Sequence, residues 1–197
     1  MTLDKDKKIL IVGLGLIGGS YAAALSQNGW EVGAIDPDPQ AIAFAEKAGF
    51  IRHGRTEPEA EYVGKFDIVV FALYPHVLLE WLEKYGPWLR DGALATDVTG
   101  VKSGVVERAQ ALLFPRVEFI GAHPMAGREV SGVENARADL FRGANYIVTP
   151  TAANTEEAIA CCETLGRTLG ARNISRLTPK EHDEMIGFLS QLTHCIA

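Results

Sequence analysis

The chain has 197 residues, of which 47% are hydrophobic and 22% are charged, and its formal net charge is −6 at pH 7. This balance is typical of an ordered globular protein, and without a cluster of Lys or Arg it gives no electrostatic support for binding nucleic acid or an anionic membrane. The length suits one domain and the beginning of a second. No apolar run reaches membrane-spanning length and no signal-peptide core precedes the first predicted strand, so we expect a cytoplasmic protein.

The cysteines and histidines indicate neither a disulfide framework nor a metal site. Of the three cysteines, Cys161 and Cys162 are adjacent in a predicted helix, where neighbouring side chains point apart. No zinc-ligand spacing occurs, and the five histidines are scattered. We therefore predict a reducing compartment and no bound metal.

The chain opens with a predicted strand, a glycine turn and a helix. Lys8–Val12 is short, apolar and β-branched, and the alanine-rich stretch 20–27 contains no helix breaker. The turn between them is Gly13-Leu14-Gly15-Leu16-Ile17-Gly18. Gly13 permits the turn angles, Gly15 leaves room for a pyrophosphate, and Gly18 lets the helix pack on the strand. With the helix dipole behind the free N–H groups, the six residues predict a dinucleotide phosphate site that includes Leu16 and Ile17.

The second predicted strand, Glu31–Ile35, ends at Asp36. An acidic residue about 20 positions after the glycines accepts hydrogen bonds from the ribose hydroxyls, and its charge repels a 2′-phosphate. Pro37 follows it, where an NADP site often has Arg or Lys, so NAD is favoured over NADP. A helix cap is the alternative role for Asp36, but Asp38 suits that role better.

The rest of the chain alternates helices and strands, as βαβ units do. An apolar run at 66–73 predicts a strand buried on both faces, and we expect Leu73 and Tyr74 at its end to lie beside the adenosine half of the cofactor. Simple loop packing is an equal alternative for Tyr74. Further predicted elements are helices at 40–48, 77–85, 103–113 and 156–169 and strands at 51–53, 93–96, 117–121, 146–148 and 172–175. The predicted fold over residues 1–177 is α/β, a Rossmann-type, doubly wound and mostly parallel sheet.

A further helix is predicted to open with Thr178 as its cap, Pro179 in the first turn and Glu181 three residues after the cap. Its apolar residues fall on one face and have no downstream segment to cover them. They are Met185, Ile186, Leu189, Leu192 and Ile196. We expect residues 178–197 to be the first helix of an all-α second domain, and the chain to be a fragment of a longer protein.

One histidine follows a strand that should end at the cofactor edge. His123 comes just after the predicted strand 117–121 and is held by Pro124. An oxidised nicotinamide needs a neighbour that takes the proton from a substrate hydroxyl, and histidine serves that purpose near neutral pH. The other four histidines offer no such placement. A lone histidine is more often structural, so both roles stay open on this ground alone.

Four segments with a specific order and spacing are Gly-Leu-Gly-Leu-Ile-Gly-Gly-Ser, Thr-Asp-Val-Thr-Gly-Val-Lys, Gly-Ala-His-Pro-Met-Ala-Gly-Arg-Glu and Ser-Gln-Leu-Thr-His. They span essentially the whole chain, and together they resemble the prephenate dehydrogenase family of tyrosine biosynthesis. The resemblance implies NAD-dependent oxidative decarboxylation of prephenate to 4-hydroxyphenylpyruvate, or of arogenate to tyrosine. It also implies a homodimer built through a helical C-terminal domain, with a small-molecule substrate.

The resemblance also implies roles for single residues. His123 matches the catalytic histidine, which hydrogen-bonds the ring hydroxyl of the substrate. Glu129 matches an acidic residue at the pocket entrance, with a solvated surface carboxylate as the alternative. His194 matches a histidine of the second domain that approaches the substrate.

The second segment departs from the family pattern. The family often has a serine at the position of Gly100, and here the hydroxyl stands one residue earlier, at Thr99. We assign Thr99 to catalysis, Gly100 to the substrate site and Asp97 to the cofactor site. The family arginine that grips a substrate carboxylate lies beyond Ala197, so we expect the chain to bind NAD with little or no turnover.

Two other functions are compatible with the same fold. One is a dehydrogenase of another small acid, which rates on prephenate, arogenate and simple hydroxy acids would distinguish. The other is a non-catalytic NAD-binding sensor or regulatory module. His123 and Thr99 argue against the sensor, because it needs the glycine turn but no proton acceptor.

Overall fold

The computed structural model of the chain describes residues 3–188. Within that range the strands are β1 (Lys8–Val12), β2 (Glu31–Ile35), β3 (His53–Arg55), β4 (Ile68–Phe71), β5 (Leu94–Asp97), β6 (Glu118–Pro124), β7 (Asn145–Thr149) and β8 (Asn173–Arg176). The helices are α1 (Leu16–Gln27), α2 (Pro39–Lys47), α3 (Ala60–Val63), α4 (Pro75–Tyr85), α5 (Val105–Leu113), α6 (Glu156–Thr168) and α7 (Pro179–Ile186). None of these helices is both long and apolar enough to cross a membrane.

The strands form one sheet in the order β3-β2-β1-β4-β5-β6-β7-β8. Neighbours are parallel from β3 to β6 and again between β7 and β8, whereas β6 and β7 are antiparallel. The chain winds outward from β1 to β2 on one side and later to β4 on the other. The predicted doubly wound, mostly parallel sheet is therefore confirmed. Sheets of this kind bind ligands at the carboxyl ends of the strands where the order reverses, here between β1 and β4.

Alternate residues of the central strands build separate cores on the two faces of the sheet. Ile9 and Ile11 pack with α1, α2 and α6, whereas Leu10 and Val12 pack with α3, α4 and α5. All of β4 is buried in the same alternating way, which explains its nearly continuous apolar run.

Pairing and close packing shift several element boundaries from those predicted. Helix α1 begins at Leu16 instead of residue 20, so that Gly18 and Gly19 lie inside the helix. A larger residue at Gly18 would collide with the turn, and one at Gly19 would collide with Ala136. Strand β3 begins at His53, where pairing with β2 starts. Strand β6 continues to Pro124 because β7 pairs with it. His123 is therefore inside a strand, and its placement after the strand was wrong.

Helix α7 begins with the predicted capping box. The Thr178 hydroxyl accepts a hydrogen bond from the Glu181 N–H at 3.2 Å, and the Glu181 carboxylate accepts one from the Thr178 N–H at 2.8 Å. His182 and Ile186 are buried on the side of α7 that faces the sheet, whereas Phe188 is 73% exposed. The predicted apolar residues Leu189, Leu192 and Ile196 lie outside the described residues.

Candidate functional site

A cleft of about 860 Å³ lies at the carboxyl ends of the central strands. The glycine turn forms one part of its wall, and the ends of β2, β4, β5 and β6 supply the rest. The predicted site residues that line it are Gly13, Gly15, Leu16, Ile17, Gly18, Asp36, Leu73, Tyr74, Thr99, Gly100 and His123. The fold thus brings most of the predicted cofactor and catalytic residues into one cavity.

The glycine turn has the shape that a phosphate cradle requires. Gly13 has a φ of 95°, and a Cβ built on Gly18 would lie 1.9 Å from the carbonyl oxygen of Gly13. A Cβ on Gly15 would meet no heavy atom of the described residues within 4 Å, so this residue faces open space in the cleft. Within residues 3–188, α1 has neither a side-chain cap nor an acidic residue in its first turn. Its first N–H groups are therefore left for an anion.

Asp36 ties the end of β2 to the glycine turn. One carboxylate oxygen accepts a hydrogen bond from the Leu14 N–H at 2.6 Å, and the other accepts one from the Asp38 N–H at 2.9 Å. Asp38 caps α2 by accepting a hydrogen bond from the Gln40 N–H at 2.8 Å, which confirms its predicted role. Asp36 is left to face the cleft.

Leu73 and Tyr74 form the wall of the cleft that follows β4. The Leu73 side chain lies close to Gly13, because a Cβ there would be 3.1 Å from Leu73 Cδ2. Tyr74 is 77% exposed, and its ring stacks on that of His76 with centroids 6.3 Å apart. An exposed flat ring at the mouth of the cleft is available to a planar ligand.

A buried ion pair lies directly beneath the other end of the cleft. The Lys102 Nζ donates to both oxygens of Asp97, at 2.7 and 2.6 Å, and to the carbonyl oxygen of Ala122 at 2.7 Å. Asp97 also accepts a hydrogen bond from the Ala122 N–H at 3.1 Å. Both charged residues are fully buried, and burial lowers the pKa of Lys102 although Asp97 acts to raise it.

The ion pair bears on two predicted site residues, Asp97 and Thr99. Asp97 is fully buried and is not among the described residues that line the cleft, and its predicted role in the cofactor site stays a prediction. Its carboxylate accepts hydrogen bonds from the Thr99 and Ala122 N–H groups and so joins β6 to the loop after β5. Thr99 lines the cleft, but its hydroxyl has acceptors in the Asp97 carboxylate and in the Val101 carbonyl oxygen, the latter at 2.8 Å. Its catalytic role stays a prediction.

His123 projects from β6 into the cleft beside Gly100. A Cβ built on Gly100 would lie 3.7 Å from His123 Cε1 and 3.8 Å from His123 Nε2, ordinary contact distances. The serine that the family often carries at this position therefore has room beside the imidazole. The geometry leaves the Nε2 edge of His123 directed toward Gly100 and the cleft.

The opposite edge of His123 meets a residue that sequence reasoning missed. His123 Nδ1 lies 2.9 Å from His182 Nε2, and His182 Nδ1 lies 2.7 Å from Asp183 Oδ1. His182 does not follow a strand at the cofactor edge, but α7 places it against His123. Adjacent His and Asp residues in the predicted helix were visible in the sequence, but nothing local indicated that α7 turns them toward β6.

Burial controls the protonation of both histidines. It lowers the pKa of His123 to about 4, assisted by the nearby positive charge of Lys102 and by His182. Burial also lowers the pKa of His182, although the hydrogen bond to Asp183 opposes the shift. Both imidazoles are therefore neutral at pH 7, and His123 is in the form that can accept a proton.

The described residues do not test the predicted roles of Glu129 and His194. Glu129 is exposed and is not part of the described cleft lining, whereas its neighbour Arg128 is part of it. His194 lies outside the described residues. Its role and that of Glu129 stay predictions.

Comparisons with known proteins show which family and which structures the chain is similar to. The family profile "Prephenate dehydrogenase, nucleotide-binding domain" matches residues 21–175. A curated prephenate dehydrogenase from Lactococcus lactis subsp. cremoris is 36% identical over 197 residues, covering 97% of this chain and 52% of that protein. The chain spans about half the length of the curated relatives it matches.

Solved structures show the same relationship. The structure of prephenate dehydrogenase from A. aeolicus in complex with hydroxyphenyl propionate and NAD+ is 30% identical, with a TM-score of 0.89 over 99% of this chain and 68% of that chain. Arogenate dehydrogenase from Synechocystis is 31% identical, with a TM-score of 0.87 over 95% of this chain and 64% of that chain.

Proposed function

This chain belongs to the prephenate dehydrogenase family, and on that premise we propose that the full-length protein catalyses the NAD-dependent oxidative decarboxylation of prephenate to 4-hydroxyphenylpyruvate. The observation that carries the proposal is the position of His123, whose Nε2 edge faces the same cleft as the glycine turn. A neutral imidazole there supplies the proton acceptor that an alcohol oxidation requires.

The cleft fits NAD on the chemistry of its residues. The open space at Gly15 and the free N–H groups of α1 suit a pyrophosphate, and Asp36 suits the ribose hydroxyls. Pro37, Thr56 and Pro58 line the cleft near Asp36, and none of these described residues is basic, which disfavours a 2′-phosphate. We place the adenosine half against Leu73 and Tyr74.

The residues of this chain have a defined part in the reaction. When bound, NAD supplies the acceptor for the hydride that leaves the ring carbon bearing the hydroxyl. His123 Nε2 takes up the proton of that hydroxyl. When the ring carboxylate leaves as carbon dioxide, its bonding electrons make the ring aromatic, and His123 returns the proton to the phenolic oxygen. The chain thus orients the ring hydroxyl and holds its proton during the oxidation.

Oxidation of arogenate to tyrosine is the second candidate, favoured by the likeness to the Synechocystis arogenate dehydrogenase. Steady-state rates of the full-length protein with prephenate and arogenate, each with NAD and NADP, decide between them. Faster turnover of prephenate with NAD is the expected result. Turnover of neither substrate would contradict both proposals, and rates with simple hydroxy acids would then distinguish a dehydrogenase of another small acid from a non-catalytic NAD-binding module.

The ribose assignment predicts that Asp36→Ala weakens NAD binding by about 10- to 100-fold, the size of one or two lost hydrogen bonds to a charged group. NADP binding should weaken less, because the same change removes a charge that repels the 2′-phosphate. Calorimetric titration with each nucleotide measures both. Asp38→Ala is the matched control, since it removes the α2 cap and should leave NAD affinity unchanged. Equal losses for NAD and NADP would contradict the assignment.

The proton-acceptor role predicts a pH dependence of kcat/KM. His123 accepts a proton only when it is neutral, so activity falls as the pH drops through its pKa. Because burial lowers the pKa of His123, the acid limb should lie below about 6.5, the ordinary histidine value. The measurement is kcat/KM against pH for the full-length protein. An acid limb that persists unchanged in His123→Asn would assign it to another group.

We also propose that the dinucleotide-binding domain ends at residue 177 and that residues 178–197 begin a helical second domain through which the protein forms a homodimer. The capping box at the start of α7 supports the boundary. Light scattering of the full-length protein tests the dimer. The cytoplasmic location stays a prediction.

A further inference from the structure

From the contacts around His123 we infer that His182 and Asp183 of α7 are positioning residues, which hold His123 in the tautomer that carries its proton on Nδ1 and presents a bare Nε2 to the substrate hydroxyl. The role of Nε2 as proton acceptor rests on the proposed function. The tautomer of His123 depends only on the contacts among His123, His182 and Asp183.

The argument starts at Asp183, which can only accept hydrogen bonds when ionised. Burial opposes its ionisation, but hydrogen bonds from His182 and from the N–H groups of Lys102 and Ser103 outweigh that effect and lower the pKa of Asp183 to about 2. The two amides lie 2.9 and 2.8 Å from its oxygens. Asp183 is therefore a fixed, ionised acceptor at neutral pH.

The proton positions follow from that acceptor. At 2.7 Å from Asp183 Oδ1, His182 Nδ1 must carry a proton to form a hydrogen bond. A neutral imidazole has one N–H, so His182 Nε2 is bare and becomes an acceptor. His123 Nδ1, 2.9 Å away, must then carry the proton of their shared hydrogen bond. His123 is neutral as well, which leaves its Nε2 bare.

The same contacts fix where the imidazole sits. Asp183 binds the backbone of the loop that carries Thr99 and Gly100, while His182 reaches the end of β6. His182 has no exposed surface, so water does not compete for its Nε2. The charged groups around the pair, Lys102 and Asp97, are already bound to each other. His182 and Asp183 thereby connect the loop, β6 and α7 around the His123 imidazole.

Histidine tautomers in the full-length protein provide the test. Long-range proton–nitrogen correlation spectra of ¹⁵N-histidine-labelled protein identify which ring nitrogen carries the proton, and His123→Asn assigns the His123 signals. We expect Nδ1–H at His123 in the parent and in His182→Gln, whose amide oxygen can accept the same hydrogen bond. In His182→Phe, which lacks an acceptor, we expect His123 to shift toward Nε2–H.

Kinetics of the same variants test the consequence. For His182→Phe, kcat with prephenate should fall by about 10- to 100-fold, as when the orienting partner of an active-site histidine is lost, while the NAD dissociation constant is unchanged. His182→Gln should retain most of the parental kcat. Glu184→Gln, on the exposed side of α7, is the control and should match the parent.

Two results would overturn the inference. One is an Nε2–H tautomer of His123 in the parent at neutral pH, which requires no variant to fold. The other is a His182→Phe protein with the parental tautomer and the parental kcat. If the parent shows Nδ1–H at His123 but turns over neither prephenate nor arogenate, the positioning inference is supported and the proposed function fails.

Discussion

Replacing His123 by asparagine in the full-length protein is expected to lower kcat with prephenate by about 10²- to 10⁴-fold, the usual contribution of a positioned general base. Asparagine keeps a polar side chain at the end of β6 but cannot take up the hydroxyl proton. Affinity for NAD should stay at the parental value, because the glycine turn and Asp36 form their part of the cleft without the imidazole. Steady-state kinetics and a nucleotide titration measure the two effects separately.

His53→Asn is the matched control for this experiment. His53 lies on β3 with an exposed side chain and takes no part in the cleft lining of residues 3–188. Its substitution should leave kcat unchanged. A His123→Asn protein that turns over prephenate at the parental rate would show that the proton acceptor is another group. Weakened NAD binding with an unchanged kcat would place His123 in the cofactor site instead.

Replacing Lys102 by methionine is expected to destabilise the 197-residue chain by about 3–5 kcal/mol, the cost of leaving a buried charge without its partner. Methionine fills a similar volume, so the loss of stability reports mainly on the Asp97 carboxyl group, which is left without its cationic partner in a fully buried site. The Ala122 carbonyl oxygen also loses its donor. Urea unfolding followed by tryptophan fluorescence measures the free energy of unfolding.

A surface pair provides the comparison. Lys65 lies 3.1 Å from Glu61, and their side chains are 54% and 90% exposed. Lys65→Met should therefore change the free energy of unfolding by no more than about 1 kcal/mol. The double variant Asp97→Asn, Lys102→Met should be more stable than Lys102→Met alone, because it removes both charges. Equal stability of Lys102→Met and the parent would contradict the buried-pair account.

The elements that were predicted well are those whose cause is local. A β-branched apolar run formed β1, and the Thr178 capping box started α7 where it was expected. The glycine turn and Asp36 meet in one cleft because the carboxyl ends of neighbouring parallel strands share an edge of the sheet. In these cases the spacing of residue types along the chain is enough to predict where the residues lie.

The errors arose where a residue's role depends on a strand or helix far along the chain. Strand β6 was predicted to stop at Gly121, but pairing with β7 extends it through His123. The buried ion pair was not predicted either, because the side chain of Lys102 folds back over Asp97 and both are buried. No pattern in the neighbouring sequence predicts the extension of β6 or the burial of this ion pair.

The sequence by itself determined a dinucleotide-binding α/β sheet, its glycine turn and the candidate proton acceptor, because each depends on backbone freedom, hydrophobic alternation or a short motif. Only the tertiary structure decided how that acceptor is held. His123 meets His182 across 59 positions, and Lys102 meets Asp183 across 81. Hydrogen bonds of this kind form only when the donor–acceptor distance between separate elements is set to within a few tenths of an ångström. The packing of α7 against the sheet sets that distance.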